Sequence, residues 1–347
     1  MAEPTGPAAS PARGAPRLDR RSLRADLRRL VPDTAAALAV TFALFVLLYS
    51  RVEAGTSQTL VVMPFLADAD EYWLYWLCQA FGWSGLLWAW ITVMLGLLRS
   101  TVPLPGAPVS HARIERWHRV MSLTTIGLMF AHALAFFLEL VRDNEDGLGW
   151  GGRLSSAFVD TFVPGGYSSG TGQVAILIGL IALYLAVPLG LAYYVRSWTG
   201  TRVWRALHRF VIVVYALSVW HTLLYGTNVW FDGWFRTAVW ALQLPVALLL
   251  LARLLAPLRA DERLTPGDLA GGRRLRGLAR AGARLGVAAA VVVLLAVTVT
   301  GRDGGRTPGA GSGEMLVTQS MVWGGLALLL TVIGAVVLAL RGRPARE

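Results

Sequence analysis

The chain has 347 residues, 55% of them hydrophobic and only 15% charged, with a mean hydropathy of +0.54. Soluble domains carry about 25% charged residues, so this composition excludes an ordinary soluble enzyme. The formal charge is +11, carried by 32 arginines and no lysine. These arginines cluster between long apolar runs, which marks a charged membrane face rather than a nucleic-acid groove. The single cysteine, Cys78, excludes an intrachain disulfide, an attachment site for c-type haem and an all-cysteine iron–sulfur cluster. The fold class is therefore an all-α polytopic membrane protein.

A helix needs about 20 largely apolar residues to cross roughly 30 Å of hydrocarbon. Eight stretches qualify: 34–50, 73–98, 117–141, 173–195, 207–226, 236–255, 285–301 and 321–340. The leader 1–33 is polar, Pro/Ala/Arg-rich and has no early apolar core, so it reads as a basic, flexible cytoplasmic tail and not a signal peptide. With the N-terminus inside, 26 of the 32 arginines fall on cytoplasmic segments, a strong positive-inside asymmetry. Outer segments are acidic or glycine-rich, as in Asp68-Ala69-Asp70-Glu71 and Asp143-Asn144-Glu145-Asp146. Both termini are expected in the cytoplasm. Residues 256–284 read as a basic cytoplasmic linker, which Leu275 and Leu278 would let lie at the lipid headgroups, and 285–347 as a C-terminal hairpin and tail. The tryptophans at span ends, Trp73, Trp76, Trp198 and Trp234 among them, suit an interfacial belt.

Four of the five histidines lie in two spans. His118 and His132 belong to the third, His208 and His221 to the fifth, and both spans run from inside to outside. First therefore matches first in depth, and second matches second. At about 1.5 Å per residue the two depths lie roughly 20 Å apart, so the four rings cannot share one ion. Each depth offers two imidazoles. Zinc normally takes four protein ligands, or three and a water, whereas a haem iron needs only two axial ligands. Two stacked bis-histidine haems meet that count. The competing reading is that each histidine merely hydrogen-bonds a neighbouring helix. The azimuths are uneven. Fourteen positions leave His132 about 40° from the His118 face, but thirteen leave His221 about 140° from the His208 face, so the fifth helix needs π-type distortion, tilt or curvature.

Nearby residues extend this candidate site. Gly127, between the ligands of the third span, would let a porphyrin approach the backbone. Tyr215 is placed between those of the fifth, at a height between the two haems. Arg116, Arg119, Arg205 and Arg209 cluster at the inner depth, where haem propionates require cations. His111 has no depth-matched partner and reads as a solvated loop residue.

These residues resemble the ferric reductase-like transmembrane domain, a family that includes NADPH oxidases, ferric-chelate reductases and the haem-binding membrane subunit of bacterial methionine sulfoxide reductase. The oxidase branch is similar in its His-x13-His and His-x12-His pairs, here His118/His132 and His208/His221. The run Trp204-Arg205-Ala206-Leu207-His208-Arg209 leading to Trp220-His221 is similar to the reductase-subunit branch. The resemblance is expected over 34–255, a six-helix haem-binding bundle, with the last two spans as an extension outside it. It implies two b-type haems passing electrons across the cell membrane to an extracytoplasmic acceptor: a ferric chelate, oxygen or a partner oxidoreductase. Self-sufficient members carry a His-Pro-Phe flavin motif and a nucleotide domain, which this sequence lacks, and the 27 residues 258–284 before the seventh span hold no dinucleotide fold. The implied donor is a separate flavoprotein carrying FAD or FMN, or membrane quinol. The alternative is a haem-binding transporter or sensor without catalytic electron flow.

Overall fold

The computed structural model describes residues 18–101, 109–144, 146–170, 172–231, 233–255 and 317–341, with positions 281, 284, 285, 288, 291 and 292. Helices dominate, and no strand occurs among the described residues. The main helices are α1 (Arg20–Glu53), α2 (Trp73–Thr101), α3 (His111–Asp143), α4 (Trp150–Phe162) and α5 (Gly172–Leu191). They continue as α6 (Thr201–Arg209), α7 (Val211–Tyr225), α8 (Trp234–Ala241), α9 (Gln243–Leu255) and α10 (Gln319–Arg341). Among the described residues seven spans are long and apolar enough to cross a membrane: α1, α2, α3, α5, the α6–α7 pair, the α8–α9 pair and α10. The chain is an all-α, multi-pass membrane protein. The expected seventh span, 285–301, and the linker 256–284 lie almost wholly outside the described residues.

The first helix corrects the reading of the leader. It begins at Arg20, not near residue 34, because Asp19 caps it: the Ser22 backbone N–H donates to the Asp19 carboxylate at 3.0 Å. Thus 20–33, expected as flexible tail, is helix. At about 1.5 Å per residue α1 is roughly 51 Å long, so its inner part stands clear of the hydrocarbon. Its polar residues at 26, 33 and 41 recur at seven- and eight-residue intervals and face the bundle. Asp26 is fully buried and accepts from Arg119 on α3. Asp33 accepts from the Thr124 hydroxyl and, at 3.3 Å, from Trp88 Nε1. Thr41 donates to Ser84 at 2.7 Å. Helix–helix attraction in lipid relies on such polar contacts and close packing, since lipid tails are as apolar as leucine.

Helices α2 and α3 pack against each other as an antiparallel pair, with α1 across both and α9 against α2. A second pair is formed by α5 and α7. Helix α5 is the most enclosed, with twelve buried residues, eleven of them apolar side chains and the other Gly172. Helix α10 starts beside it, where Gln319 donates to the Gln173 carbonyl at 3.1 Å, and also packs on α6. Helix α4 is too short to span. It packs Phe162 against Phe130 and Phe137 of α3, and the Phe162 carbonyl accepts from the Tyr184 hydroxyl of α5. That bond satisfies a helix-end carbonyl in an apolar setting where water is scarce. The tryptophan belt needs one correction. Trp73, Trp198 and Trp234 are exposed, but Trp76 is 0% exposed and packs in a core with Val52, Leu66 and Ala69.

Candidate functional site: two facing histidine pairs

The structure brings the four histidines together two by two. His118 of α3 and His208 of α6 have ring centroids 5.7 Å apart and ring planes at 89°. His132 of α3 and His221 of α7 have centroids 5.9 Å apart and planes at 75°. Two imidazoles coordinating one metal from opposite sides, each at about 2.0 Å, place their centroids roughly 6 Å apart. Both pairs fit that separation. No group of three or more His, Cys, Asp or Glu converges among the described residues, so each pair stands as two ligands and not as part of a larger cage.

The azimuth mismatch on the fifth span is reduced by a break. Helices α6 and α7 are separated at Phe210 (φ −74, ψ −9), where bonds run three residues back: Phe210 N–H to Leu207 O at 3.0 Å and Val213 N–H to Phe210 O at 2.9 Å. This is local tightening and not a π-type loosening. Each such residue turns about 120° instead of 100°, which adds rotation between His208 and His221 in the direction that brings both toward α3.

Three of the rings are oriented through Nδ1. His118 Nδ1 lies 2.8 Å from Thr92 O, His132 Nδ1 2.8 Å from Cys78 O, and His221 Nδ1 2.7 Å from Ala175 O. A carbonyl only accepts, so each Nδ1 carries the proton and each Nε2 keeps its lone pair. This is the arrangement that metal-ligating histidines use to fix tautomer and raise basicity. The fourth ring, His208, stacks on Trp204 one turn earlier, centroids 5.9 Å apart and 25° between planes. A cavity at the outer depth includes both His132 and His221 in its wall, which is otherwise mostly apolar and includes Phe136, Met129 and Leu180. A flat apolar macrocycle held by two axial imidazoles suits these features, so the residues present fit haem.

The remaining expected residues divide. Arg119 is committed elsewhere: its Nε and Nη2 donate to Asp26, and Nη1 donates to Glu115 at 3.3 Å. It is a cross-helix tie, not a free partner for a propionate. Arg205 and Arg209 stay exposed on α6, and Arg205 Nε donates to the Thr201 carbonyl one turn back at 3.3 Å. Tyr215 is buried with Leu97 and Val246, and its hydroxyl donates to Gln243 of α9 at 2.7 Å. It fastens α7 to α9. A Cβ on Gly127 would meet no protein atom within 4 Å, so the space beside it is open. His111 is the exposed first residue of α3.

Sequence reasoning missed the main-chain partners Cys78, Thr92 and Ala175, since a carbonyl leaves no trace in residue type. It also missed the inner-end cluster around Asp26. There Tyr194 donates to Asp26 at 3.1 Å, Arg196 pairs with Asp19 at 2.6 Å, and the Arg196 guanidinium lies 3.9 Å above the Tyr193 ring. Burial, with Asp26 beside it, raises the Tyr194 pKa. Hydrogen bonding from the Ser22 backbone N–H holds the Asp19 carboxyl below its usual range.

Residues 81–219 match the family model of the ferric reductase like transmembrane component. The match includes His118, His132 and His208 and ends two residues before His221. It is narrower than the expected 34–255: α1, α8, α9 and α10 lie outside it. No curated protein and no solved structure matches the chain. A ferric reductase-like segment in a multi-pass membrane protein points to electron transfer across the membrane.

Proposed function

We propose that the chain is the haem-binding membrane component of an oxidoreductase and moves electrons across the cell membrane between two b-type haems. His118 and His208 hold the inner one, His132 and His221 the outer. The observation that carries this reading is the pair of facing imidazoles at two depths, three of the four rings turned by a main-chain carbonyl at Nδ1, which leaves the lone pair on Nε2. When bound, haem supplies one-electron iron(III)/iron(II) chemistry at each depth.

The chain's own residues bind and orient. Helix α3 carries one ligand for each depth and so sets the spacing, roughly 21 Å along its axis. Thr92, Cys78 and Ala175 hold three rings by their carbonyls. The apolar wall around His132 and His221 keeps bulk water from the outer pair. Exposed Arg205 and Arg209 supply positive charge at the inner end, suited to propionates or to an acidic partner. The donor is a flavoprotein reductase carrying FAD or FMN, or membrane quinol. The acceptor is extracytoplasmic: a ferric chelate, oxygen or a partner oxidoreductase.

A reduced-minus-oxidised spectrum of purified protein, with haem counted per chain, tests this directly. Two low-spin b-type haems are expected. His118→Ala or His208→Ala removes mainly one, His132→Ala or His221→Ala mainly the other. Undiminished haem in all four variants sinks the assignment. Two haems that no donor–acceptor couple turns over favour a haem transporter or sensor.

A further inference from the structure

The three carbonyl-bonded histidines share a second feature. The carbonyls belong to Cys78, Thr92 and Ala175, and four residues after each stands a glycine: Gly82, Gly96 and Gly179. In an α-helix the carbonyl of residue i already accepts from the N–H of i+4. Because Cα–Cβ bonds tilt toward the helix N-terminus, the side chain at i+4 overlies the turn that holds carbonyl i. Glycine at i+4 leaves that carbonyl's second lone pair reachable from the side.

The distances show how little room there is. A Cβ built on Gly82 stands 3.2 Å from His132 Cε1 and Nδ1. On Gly96 it stands 3.0 Å from His118 Cε1, and on Gly179 2.8 Å from His221 Nδ1. Carbon atoms in contact prefer about 3.5–4.0 Å, so a methyl group at any of the three forces the ring to move. A Cβ on Gly85, one turn from Gly82 on the same helix, comes no closer than an ordinary 3.5 Å, to Leu128 Cβ. Among the described glycines, close approach to a histidine ring is confined to the three that follow an accepting carbonyl.

We infer that Gly82, Gly96 and Gly179 are positioning residues for the histidines opposite them. Each uncovers one carbonyl, and that carbonyl fixes the ring plane and tautomer of one axial ligand. The inference rests on the haem reading above and adds a site-by-site consequence. Gly96 acts at the inner depth alone, through His118. Gly82 and Gly179 act at the outer depth alone, through His132 and His221. The outer site holds two rings seated in this way and the inner site one, because His208 rests on the Trp204 ring instead.

The test compares Gly82→Ala, Gly96→Ala and Gly179→Ala with wild type, and with Gly334→Ala on α10, where a Cβ meets nothing within 4 Å. The full-length protein is purified with its haem. Electron paramagnetic resonance of the oxidised form and a potentiometric titration are read for each haem separately. Gly96→Ala should shift the g-values and midpoint potential of the inner haem and leave the outer unchanged. Gly82→Ala and Gly179→Ala should do the reverse, with the larger shift or loss in Gly179→Ala, where the clash is closest. The haem at the unaffected depth reports that the bundle is folded. If Gly179→Ala fails to accumulate, Gly82→Ala, the mildest clash, decides the outer depth. Equal disturbance of both haems, or wild-type signals in all three variants, overturns the inference and leaves the haem reading standing. A wild-type protein without haem overturns both.

Discussion

Asp26 on α1 and Arg119 on α3 form a two-pronged ion pair, Oδ2 to Nε at 2.9 Å and Oδ1 to Nη2 at 3.1 Å, with the carboxylate fully enclosed. Tyr194, between α5 and α6, adds a third bond to the same carboxylate. Three parts of the fold thus meet on one acid, whose partner Arg119 directly follows His118. Removing a single partner of a buried pair leaves the other charge uncompensated, at a cost of about 3–5 kcal/mol. Arg119 keeps 19% exposure and a second acid, Glu115, so the lower end of that range is expected for Asp26→Ala. Thermal unfolding in detergent measures it. A loss below about 1 kcal/mol is what a surface pair gives and would contradict the enclosed geometry.

Asp19 makes the inner anchor pH-dependent. Its folded pKa is depressed, first by the Ser22 backbone N–H and further by Arg196. A depressed carboxyl contributes stability that is fully present above its unfolded value, about 3.9, and is lost as pH falls through the lower folded value. Hydrogen exchange over the first turn of α1, taken relative to the intrinsic rate at each pH, should therefore be flat from neutral pH to about pH 4 and rise below it. Asp19→Asn should raise exchange at neutral pH and flatten the acid-side rise. An unchanged acid-side rise in Asp19→Asn would assign it to another carboxyl.

Much of this architecture was legible because bilayers impose simple rules. Apolar length gave the spans, and depth matching gave the histidine pairs that the structure brings together. Three things were not legible. The start of α1 was hidden by composition: an arginine-rich run looks solvated unless the buried face, Asp26 and Asp33 seven residues apart, is recognised as one stripe. The break at Phe210 was hidden because no glycine or proline marks it. The protein partners of Arg119 were hidden because charge alone does not say which anion a guanidinium meets. One signal was present but unused. Gly82 and Gly96 are fourteen residues apart, the spacing of His118 and His132 on the antiparallel neighbour, so each glycine meets one histidine.

The predicted orientation rests on the arginine asymmetry and on the path of α10. This helix begins where Gln319 meets Gln173 at the start of α5, and it also packs on α6, so it runs alongside α5 in the same direction. A reporter fused after Arg346 should read cytoplasmic, and one inserted at Gly151 in α4 should read outside. The two reporters reading the same side would break the predicted sidedness, and a C-terminal reporter on the outer side would remove one span from 256–316.

The last prediction concerns the electron donor. The isolated 347-residue chain, loaded with haem and given FAD, should not oxidise NADPH, because its sequence has no flavin motif and no stretch between spans long enough for a dinucleotide fold. Its inner face carries Arg202, Arg205 and Arg209, all exposed on α6, and eight arginines between Arg253 and Arg284 in sequence. A face so positive attracts an acidic protein partner, and attraction of this kind weakens as salt shortens the range of the field. Adding a flavin reductase should therefore restore haem reduction, at a rate that falls as ionic strength rises from 20 to about 200 mM, where the Debye length shrinks to under 10 Å. Replacing Arg202, Arg205 and Arg209 with glutamine should slow reduction more at low salt than at high salt. If quinol is the donor, reduction is insensitive to salt and is blocked by a quinone-site inhibitor. Brisk NADPH turnover by the isolated chain would mean that it holds a nucleotide site of its own, and the separate donor would have to be abandoned.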